Sequence, residues 1–414
     1  MAHTTKRLKA ADCRSGAPIC RDSYWFMVGF LSLCHAGATI IMPANAQPGT
    51  LDTLAGDCDL LLADQAAARP GAFVLDNGQS PPAPLEPYDP DRVTVAFFTS
   101  GSTGSPKRIT RTAGQLEREV GLVTPLLNNK YDGRLVSGTV SHQHVYGLIF
   151  RLLWPLTSGR PFSAITHGVW ETALDELQPG GLLVTSPAHL SRMAGIPPLP
   201  SSQAPGQVLS AGAPLSPDMA REAANILGIY PTEIFGSTET GACASRGTED
   251  GDTPWAPLPG VCFGQTSEGM LRVQSPALPD GSWVETADQV ALQPDGGFLF
   301  QGRADRIVKI EGKRVSLPDV EGQLSALPWV DGAAVTIVHD RLAAVVVANG
   351  GGKEKLADLG TFRFSRLLRK ALADTLEPAG LPRLWRFVDA LPLSDMGKRR
   401  ETDLQDLFTK GEKS

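Results

Sequence analysis

The sequence predicts a layered α/β protein: a large α/β domain with a small antiparallel part, then a small α+β C-terminal domain. Three observations carry this. Short apolar runs alternate with amphipathic stretches through the first half of the chain, the pattern of strand and helix in turn. After Pro254 the runs shorten and are separated by Gly and Asp turns, as in an antiparallel sheet. A chain of 414 residues is too long for one ordinary core, so two or three domains are expected.

The elements follow in order. The start, MAHTTKRLKAADCRSG, is basic, but no apolar core with a cleavage site follows closely, so no signal peptide is expected. WFMVGFLSLCHAGATIIM, from Trp25 to Met42, imitates a membrane span. A span needs about 20 apolar residues without a break. This segment contains His35, then AGAT, and turns from helix-like to β-branched halfway, so it reads as helix, tight turn and buried strand, with His35 structural. ATIIMPA, DLLLAD, RVTVAFF, RLVSGTV and GLLVTSP read as strands, and GQLEREVGLVTPLLNN and SPDMAREAANILG as helices. GMLRVQSP, SWVETADQVALQPDGGFLFQG and RIVKIEGKRVSL make up the antiparallel part. The last block joins the strands of AAVTIVHDRLAAVVVA to the amphipathic helix FSRLLRKALADTL, about the size of a small domain. ANGGGKEK (348–355) reads as an exposed loop, and no internal repeat is present.

Hydrophobic content of 42% and charged content of 20% are those of a soluble globular protein. A net charge of -6 disfavours nucleic acid as a partner. Six cysteines show neither metal spacing nor the density of a disulfide scaffold, and read as free thiols in a reducing cytoplasm.

FFTSGSTGSPKRITRT, from Phe97 to Thr112, concentrates Gly, Ser and Thr after a strand and before a helix. A linker is disfavoured in that position; a surface turn and an anion-binding loop remain. Gly101 and Gly104 leave backbone N–H groups accessible, and Lys107 adds charge. The spacing is not that of the nucleotide P-loop, G-x-x-x-x-G-K-[ST], which disfavours an ordinary ATPase or kinase.

The order T-S-G-S-T-G-S-P-K resembles the signature loop of the adenylate-forming superfamily: acyl- and aryl-CoA synthetases, peptide-synthetase adenylation domains and luciferases. Further motifs occur in that family's order. HVYGL (144–148) resembles its His-x-x-Gly segment, LSAGAPLS (209–216) its glycine turn, and EIFGSTETG (233–241) its aromatic-Gly-x-Thr-Glu motif. ETADQV (285–290) is similar to its Thr-Gly-Asp strand, with Ala287 in place of glycine. GRADRIVKIEGKRVSLPDVE (302–321) resembles its hinge, and LPLSDMGKRRETDL its last motif. The resemblance spans about Tyr24 to the end. It implies an adenylation domain over 1–302, with a shortened opening subdomain, and a C-terminal domain over 303–414.

The family's chemistry assigns expected roles. A carboxylate attacks the ATP α-phosphate, expels pyrophosphate and becomes an acyl-adenylate; a thiol then displaces AMP. Catalysis of this type rests on positioning and charge stabilisation. The resemblance implies that Thr99, Ser100, Gly101, Ser102, Thr103, Gly104 and Lys107 hold the β- and γ-phosphates. Gly212, Ala213, Phe235, Gly236 and Ser237 line the adenine and acyl pocket, with Val145 and Tyr146 beside the acid. His144 borders the carboxylate and nucleotide. Thr238 bonds the α-phosphate and Glu239 ligates Mg²⁺. Asp288 accepts from the ribose hydroxyls, with Arg303 beside it; Arg314 reaches the phosphate. Lys398 neutralises charge between the α-phosphate and the attacking carboxylate. Asp305 is the hinge.

Each has a plainer alternative. Glu239 could be a solvated loop acid, Lys398 part of a surface run and Asp305 a turn residue; His142 competes with His144, and either could simply pack. A non-catalytic nucleotide-binding relative is the second class of function. Phe235 and Tyr146 suit a flat ring, so an aryl acid such as a hydroxybenzoate is expected, with a medium-chain fatty acid second. Residues 303–414 carry 19 Lys and Arg against 16 Asp and Glu, while the remainder carries 19 against 28. Within the basic part, Arg363, Arg366, Arg369, Lys370, Arg383 and Arg386 suit an acidic partner. The chain also resembles stand-alone ligases of bacterial pigment and aryl-polyene pathways. That implies the 4'-phosphopantetheine arm of an acyl carrier protein as acceptor, with CoA as the alternative.

Overall fold

A computed structural model describes the chain except for residues 44, 45, 55, 79–83, 100–106, 128–133, 250–252, 311, 312, 340, 374, 377, 393–400 and 410–414. It has two compact units. One takes Met1–Gly264, Arg272–Val284 and Leu292–Leu299; the other takes Gln265–Leu271, Glu285–Ala291 and Phe300–Ser414.

The large unit holds two six-stranded sheets. The first contains β1 (Ser15–Pro18), β2 (Thr39–Met42), β3 (Leu60–Ala63), β4 (Phe73–Val74), β5 (Thr94–Thr99) and β6 (Lys107–Thr112), ordered β4-β3-β1-β2-β5-β6. Neighbours are parallel except β5 and β6, which are antiparallel. The second contains β7 (Val136–Gly138), β8 (Leu182–Thr185), β9 (Gln207–Ala211), β10 (Thr232–Ser237), β11 (Gly241–Gly247) and β12 (Ala256–Pro257), ordered β12-β11-β10-β9-β8-β7. It is parallel from β7 to β10 and antiparallel from β10 to β12. Each sheet is thus a parallel core that ends in antiparallel strands.

The Trp25–Met42 segment folds as the sequence predicts. The helix Ser23–Ala36 starts at Asp22, whose carboxylate accepts from the Tyr24 and Trp25 amides, and ends at Gly37 in the left-handed region, φ 73°. Buried β2 follows. Among the described residues no helix is long and apolar enough to cross a membrane. His35 is structural: its Nδ1 lies 2.8 Å from the Glu86 carbonyl and its ring meets Tyr88 edge-on. All six cysteines are free, and burial pushes the thiols of Cys13, Cys20, Cys34 and Cys58 up to about 11 or 12.

A four-stranded sheet takes β13 (Cys262–Gln265), β14 (Met270–Gln274), β15 (Trp283–Leu292) and β16 (Phe298–Arg303) in consecutive order. The hairpin β17 (Ile307–Ile310) and β18 (Lys313–Ser316) follows. In the small unit β19 (Val330–Val338) pairs antiparallel with β20 (Arg341–Ala348), and β21 (Leu384–Phe387) lies parallel to β20. Leu324, Val346, Phe364, Leu368 and Leu372 are among the buried residues of its core. Burying one such side chain contributes roughly 1.5–3 kcal/mol.

ANGGGKEK is not a loop. Gly350–Leu372 is helical from its first glycine, with Asn349 as its N-cap accepting from the Gly352 amide. Glycine fits at 352 because a Cβ there would stand 2.1 Å from the Trp329 carbonyl oxygen. Capping and close approach override the low helix propensity of glycine. Gly360 interrupts the same helix with φ 72°, ψ 163°.

Candidate active site

Both phosphate-related motifs lie where a parallel sheet turns antiparallel. Residues 100–106 join β5 to β6 and lie outside the described residues, which removes Ser100, Gly101, Ser102, Thr103 and Gly104 from view; Thr99 ends β5 opposite Lys107. Residues Thr238–Thr240 join β10 to β11. Ligand sites of open α/β sheets form at the carboxyl ends of parallel strands, the position of both connections.

Lys107 Nζ lies 2.9 Å from Glu239 Oε1. Burial pushes the Glu239 carboxyl upward, but the Lys107 hydrogen bond, the backbone and the Ser237 hydroxyl together hold it below its ordinary value. The turn is framed from within: the Ser237 amide donates to Thr240 Oγ1 at 3.0 Å and the Thr240 amide to Ser237 Oγ at 3.1 Å. Glycine bounds it on both sides. Gly241 has φ 68°, and a Cβ on Gly236 would meet the Gly241 carbonyl oxygen at 2.2 Å. The result presents Thr238 and Glu239 at the tip of a closed turn.

Phe235 packs in an aromatic group, 5.2 Å from Trp255 and 5.1 Å from Phe298 between ring centres. Gly212, with φ 95°, and Ala213 form an exposed turn after β9. Glu233 tethers that turn: it accepts from the Leu215 amide at 2.9 Å and pairs with Arg246 at 2.6 Å. Burial raises the Glu233 carboxyl above its usual range, against the pull of Arg246 and the amide.

The two histidines separate. His142 packs: its ring nitrogens lie 3.0 Å from Ser23 Oγ and from the Cys20 carbonyl oxygen, its ring contacts Phe26, and burial drives it down to about 4. His144 is half-buried and precedes the short helix Val145–Gly147. Val145 is half-buried, and the Tyr146 hydroxyl is buried with no hydrogen-bond partner among the described residues, its ring 5.1 Å from Phe150. Burial pushes that phenol well above its ordinary value.

In the small unit Asp288 on β15 and Arg303 on β16 meet at 3.4 Å. Asp305 lies in the turn Ala304–Arg306, and Arg314 stands opposite Lys309 in the β17–β18 hairpin. The side chains of Thr99, Asp305 and Arg314, and the whole of Lys398, lie outside the described residues. The six-residue basic group divides. Arg363, Arg366 and Lys370 are exposed on the helix Gly350–Leu372, with Arg369 half-buried beside them. Arg383 precedes β21. Arg386 turns to the helix Glu401–Thr409, donating to the Leu407 carbonyl at 3.0 Å.

Sequence reasoning missed two buried Arg–Glu pairs, Arg111–Glu119 and Arg246–Glu233. A signal existed for one: on β6, Arg111 follows Ile109 at the strand period of two and so shares its inward face.

Two mixed sheets with parallel cores, and the Lys107–Glu239 contact beyond the carboxyl ends of β5 and β10, fit the class of adenylate-forming enzymes. The AMP-binding enzyme family matches residues 31–266, and the chain belongs to that family. It is an AMP-forming acid–thiol ligase that depends on ATP and acts on a small carboxylic acid. It is similar to a 4-coumarate–CoA ligase of Rhodobacter capsulatus, 30% identical over 321 residues that cover 75% of each chain. A second 4-coumarate–CoA ligase, from Cereibacter sphaeroides, is 29% identical over 74% of this chain and 70% of its own. Among solved structures, ATP-bound MatB from Rhodopseudomonas palustris superposes with TM-score 0.81 at 20% identity, over 99% of this chain and 92% of its own. A benzoate CoA ligase from Burkholderia xenovorans superposes with TM-score 0.77 at 20% identity, over 97% and 93%. These two likenesses concern the fold.

Proposed function

We infer that this ligase activates an aryl carboxylic acid and passes it to the phosphopantetheine thiol of an acyl carrier protein. The observation that carries the activation half is the 2.9 Å contact of Lys107, at the start of β6, with Glu239, on the turn after β10. There an ammonium serves the β- and γ-phosphates. Glu239, half-exposed among hydroxyl side chains, is a hard oxygen donor that would suit Mg²⁺. When bound, Mg²⁺ supplies positive charge to the phosphate oxygens. Thr238 at the same tip serves the α-phosphate.

The substrate carboxylate oxygen bonds to the α-phosphorus, the bond from that phosphorus to the β-bridging oxygen breaks, and pyrophosphate leaves. Lys398 steadies the charge that gathers there. The thiol then bonds to the acyl carbon, loses its proton, and AMP departs. Asp288, with Arg303 beside it, holds the ribose, Arg314 reaches the phosphate, and Asp305 is the pivot between the half-reactions.

For the acid, the aryl reading is supported by Tyr146 and Phe235 and by the hydroxycinnamate that the two CoA ligases are named for. For the acceptor, the carrier reading is supported by the exposed cations at 363, 366 and 370 next to Phe362, an aromatic ring that is 73% exposed. CoA is the second reading, favoured by the names of the same two relatives. The test is pyrophosphate release over a panel of hydroxybenzoates, hydroxycinnamates and medium-chain fatty acids, with carrier protein and CoA as parallel acceptors. Release that needs an aryl acid, with product on the carrier, is expected. Release without any acid defeats the activation reading, and product on CoA alone defeats the carrier reading.

A further inference from the structure

Behind the Lys107–Glu239 contact lies a buried ring of interactions. Arg111, four residues along β6 from Lys107, is 2% exposed, and Glu119, on the helix Ala113–Leu127, is equally buried. Arg111 Nη1 donates to Glu119 Oε2 at 2.6 Å. Its Nη2 donates to the Gln115 carbonyl at 3.3 Å. The other carboxylate oxygen, Glu119 Oε1, accepts from the backbone amide of Ala242 at 2.8 Å. Ala242 stands three residues after Glu239 at the start of β11. A Cβ on Gly241 would lie 2.5 Å from Glu119 Oε2, so the carboxylate fills the space under the turn that only glycine leaves open.

The connections close on themselves. Lys107 is fixed to Arg111 by β6, Arg111 to Glu119 by charge, Glu119 to Ala242 by the amide, Ala242 to Glu239 by the turn, and Glu239 returns to Lys107 at 2.9 Å. A buried ion pair is a costly way to fill space, since apolar residues of similar volume do so at equal or better stability. A rigid, charged bridge from β6 to the start of β11 does what an apolar pair does not: it fixes distance and direction.

The geometry points to Arg111 and Glu119 as positioning residues that set the separation of Lys107 and Glu239, and hence the affinity for the magnesium–ATP pair. Neither touches substrate. The inference rests on the assignment of Lys107 to phosphate and Glu239 to metal. Partners that orient a metal-binding group typically change metal affinity by about 10- to 100-fold.

Two double variants of the full chain separate positioning from packing. Arg111→Met with Glu119→Leu removes both charges and the acceptor for the Ala242 amide. Arg111→Met with Glu119→Gln removes both charges but keeps that acceptor. The first should raise the KM for MgATP and the Mg²⁺ needed for half-maximal pyrophosphate release about tenfold. It should also lose most of the rise in melting temperature that MgATP gives in the absence of acid. The second should recover only part of each response, because the amide acceptor is back but the pull of Arg111 is not, and KM for the acid should stay put in both. If the Leu variant does not fold, Gly241→Ala, which presses on the same carboxylate from the turn, must shift the MgATP response in the same direction. Equal MgATP responses in the two double variants, or a Gly241→Ala protein with a normal response, overturn the inference. Glu239→Gln is read alongside. If it leaves the Mg²⁺ requirement untouched, the metal assignment fails; if it raises the requirement while the double variants agree, only the positioning inference fails.

Discussion

Lys107 and Glu239 stand 132 residues apart in sequence and 2.9 Å apart in space, Lys107 at the start of β6 and Glu239 on the connection after β10. The pair is partly exposed, so it contributes only about 0–1 kcal/mol to the fold. Its worth lies in placing opposite charges where a nucleotide and its cation meet.

Lys107→Ala should therefore leave thermal stability within about 1 kcal/mol of the parent. It should lower kcat/KM for MgATP by roughly 10²-fold, the usual loss when one charge-stabilising donor is removed. Melting curves without nucleotide and pyrophosphate kinetics with varied MgATP measure the two effects. A large drop in stability with normal kinetics would make the pair a structural contact.

His142 gives a pH signature to the large unit. It is held neutral, its value driven from 6.5 to about 4 first by burial and then by the charge of Arg151, against the Cys20 hydrogen bond and Asp64. The unfolded chain binds the proton first, so the contribution is whole above about pH 6.5 and is lost as pH falls towards 4. The slope is up to ~1.4 kcal/mol per pH unit. His189, lowered to about 4 by burial and the charge of Arg192, adds a second slope over the same range. His142→Gln should flatten much of the loss between pH 6.5 and 4.5 in urea unfolding, and an unchanged slope would remove His142 as its source.

The sequence made the helix, turn and strand of residues 25–42 legible because capping, period and β-branching agree there. The same holds for the parallel strands, whose apolar runs are short and bounded by turns. The helix across ANGGGKEK was not legible, since Asn349 and the Trp329 carbonyl decide it and a glycine run hides both. At the site, motif order put Glu239 on the connection after β10, whereas Lys107, expected in the loop, begins strand β6. Nothing local announces that Glu119 reaches the Ala242 amide, a contact made across 123 residues. The strand period puts Arg111 inward, but the Ala242 amide that Glu119 meets becomes visible only when β11 is in place.

Lys398 has its own test. Its ammonium is needed where the carboxylate meets the α-phosphate, so Lys398→Ala should lower adenylation about 10²–10³-fold. Thioester formation from supplied acyl-adenylate should fall far less. Near-normal adenylation in this variant would return the lysine to the basic surface run.

Asp305 lies in the turn Ala304–Arg306, between β16 and β17. Proline there fixes φ near -65° and removes an N–H group. If the chain pivots at this turn, Asp305→Pro should spare adenylate formation and slow transfer to the thiol. The two half-reactions are measured separately, by pyrophosphate release and by acyl transfer from preformed adenylate. Equal losses in both would place the pivot elsewhere.

The acceptor surface is tested by charge reversal on one helix. Arg366 is exposed, Arg369 half-buried, and the Arg366 guanidinium lies 5.9 Å from the ring centre of exposed Phe362. Arg366→Glu with Arg369→Glu should slow transfer to an acidic carrier protein, mainly through the association rate. Phe362→Ser should weaken the same step through dissociation, since an exposed aromatic ring supplies contact area and not steering. Adenylation with ATP and acid alone should be unchanged in both variants. Transfer by the parent should fall as salt rises, because screening shortens the reach of the cations to about 8 Å at physiological ionic strength. The reversed variant should respond less. CoA must be run as a separate acceptor, because its phosphates also attract arginine. Carrier transfer that ignores both reversal and salt removes the helix as a docking surface, and efficient turnover with CoA alone makes CoA the acceptor.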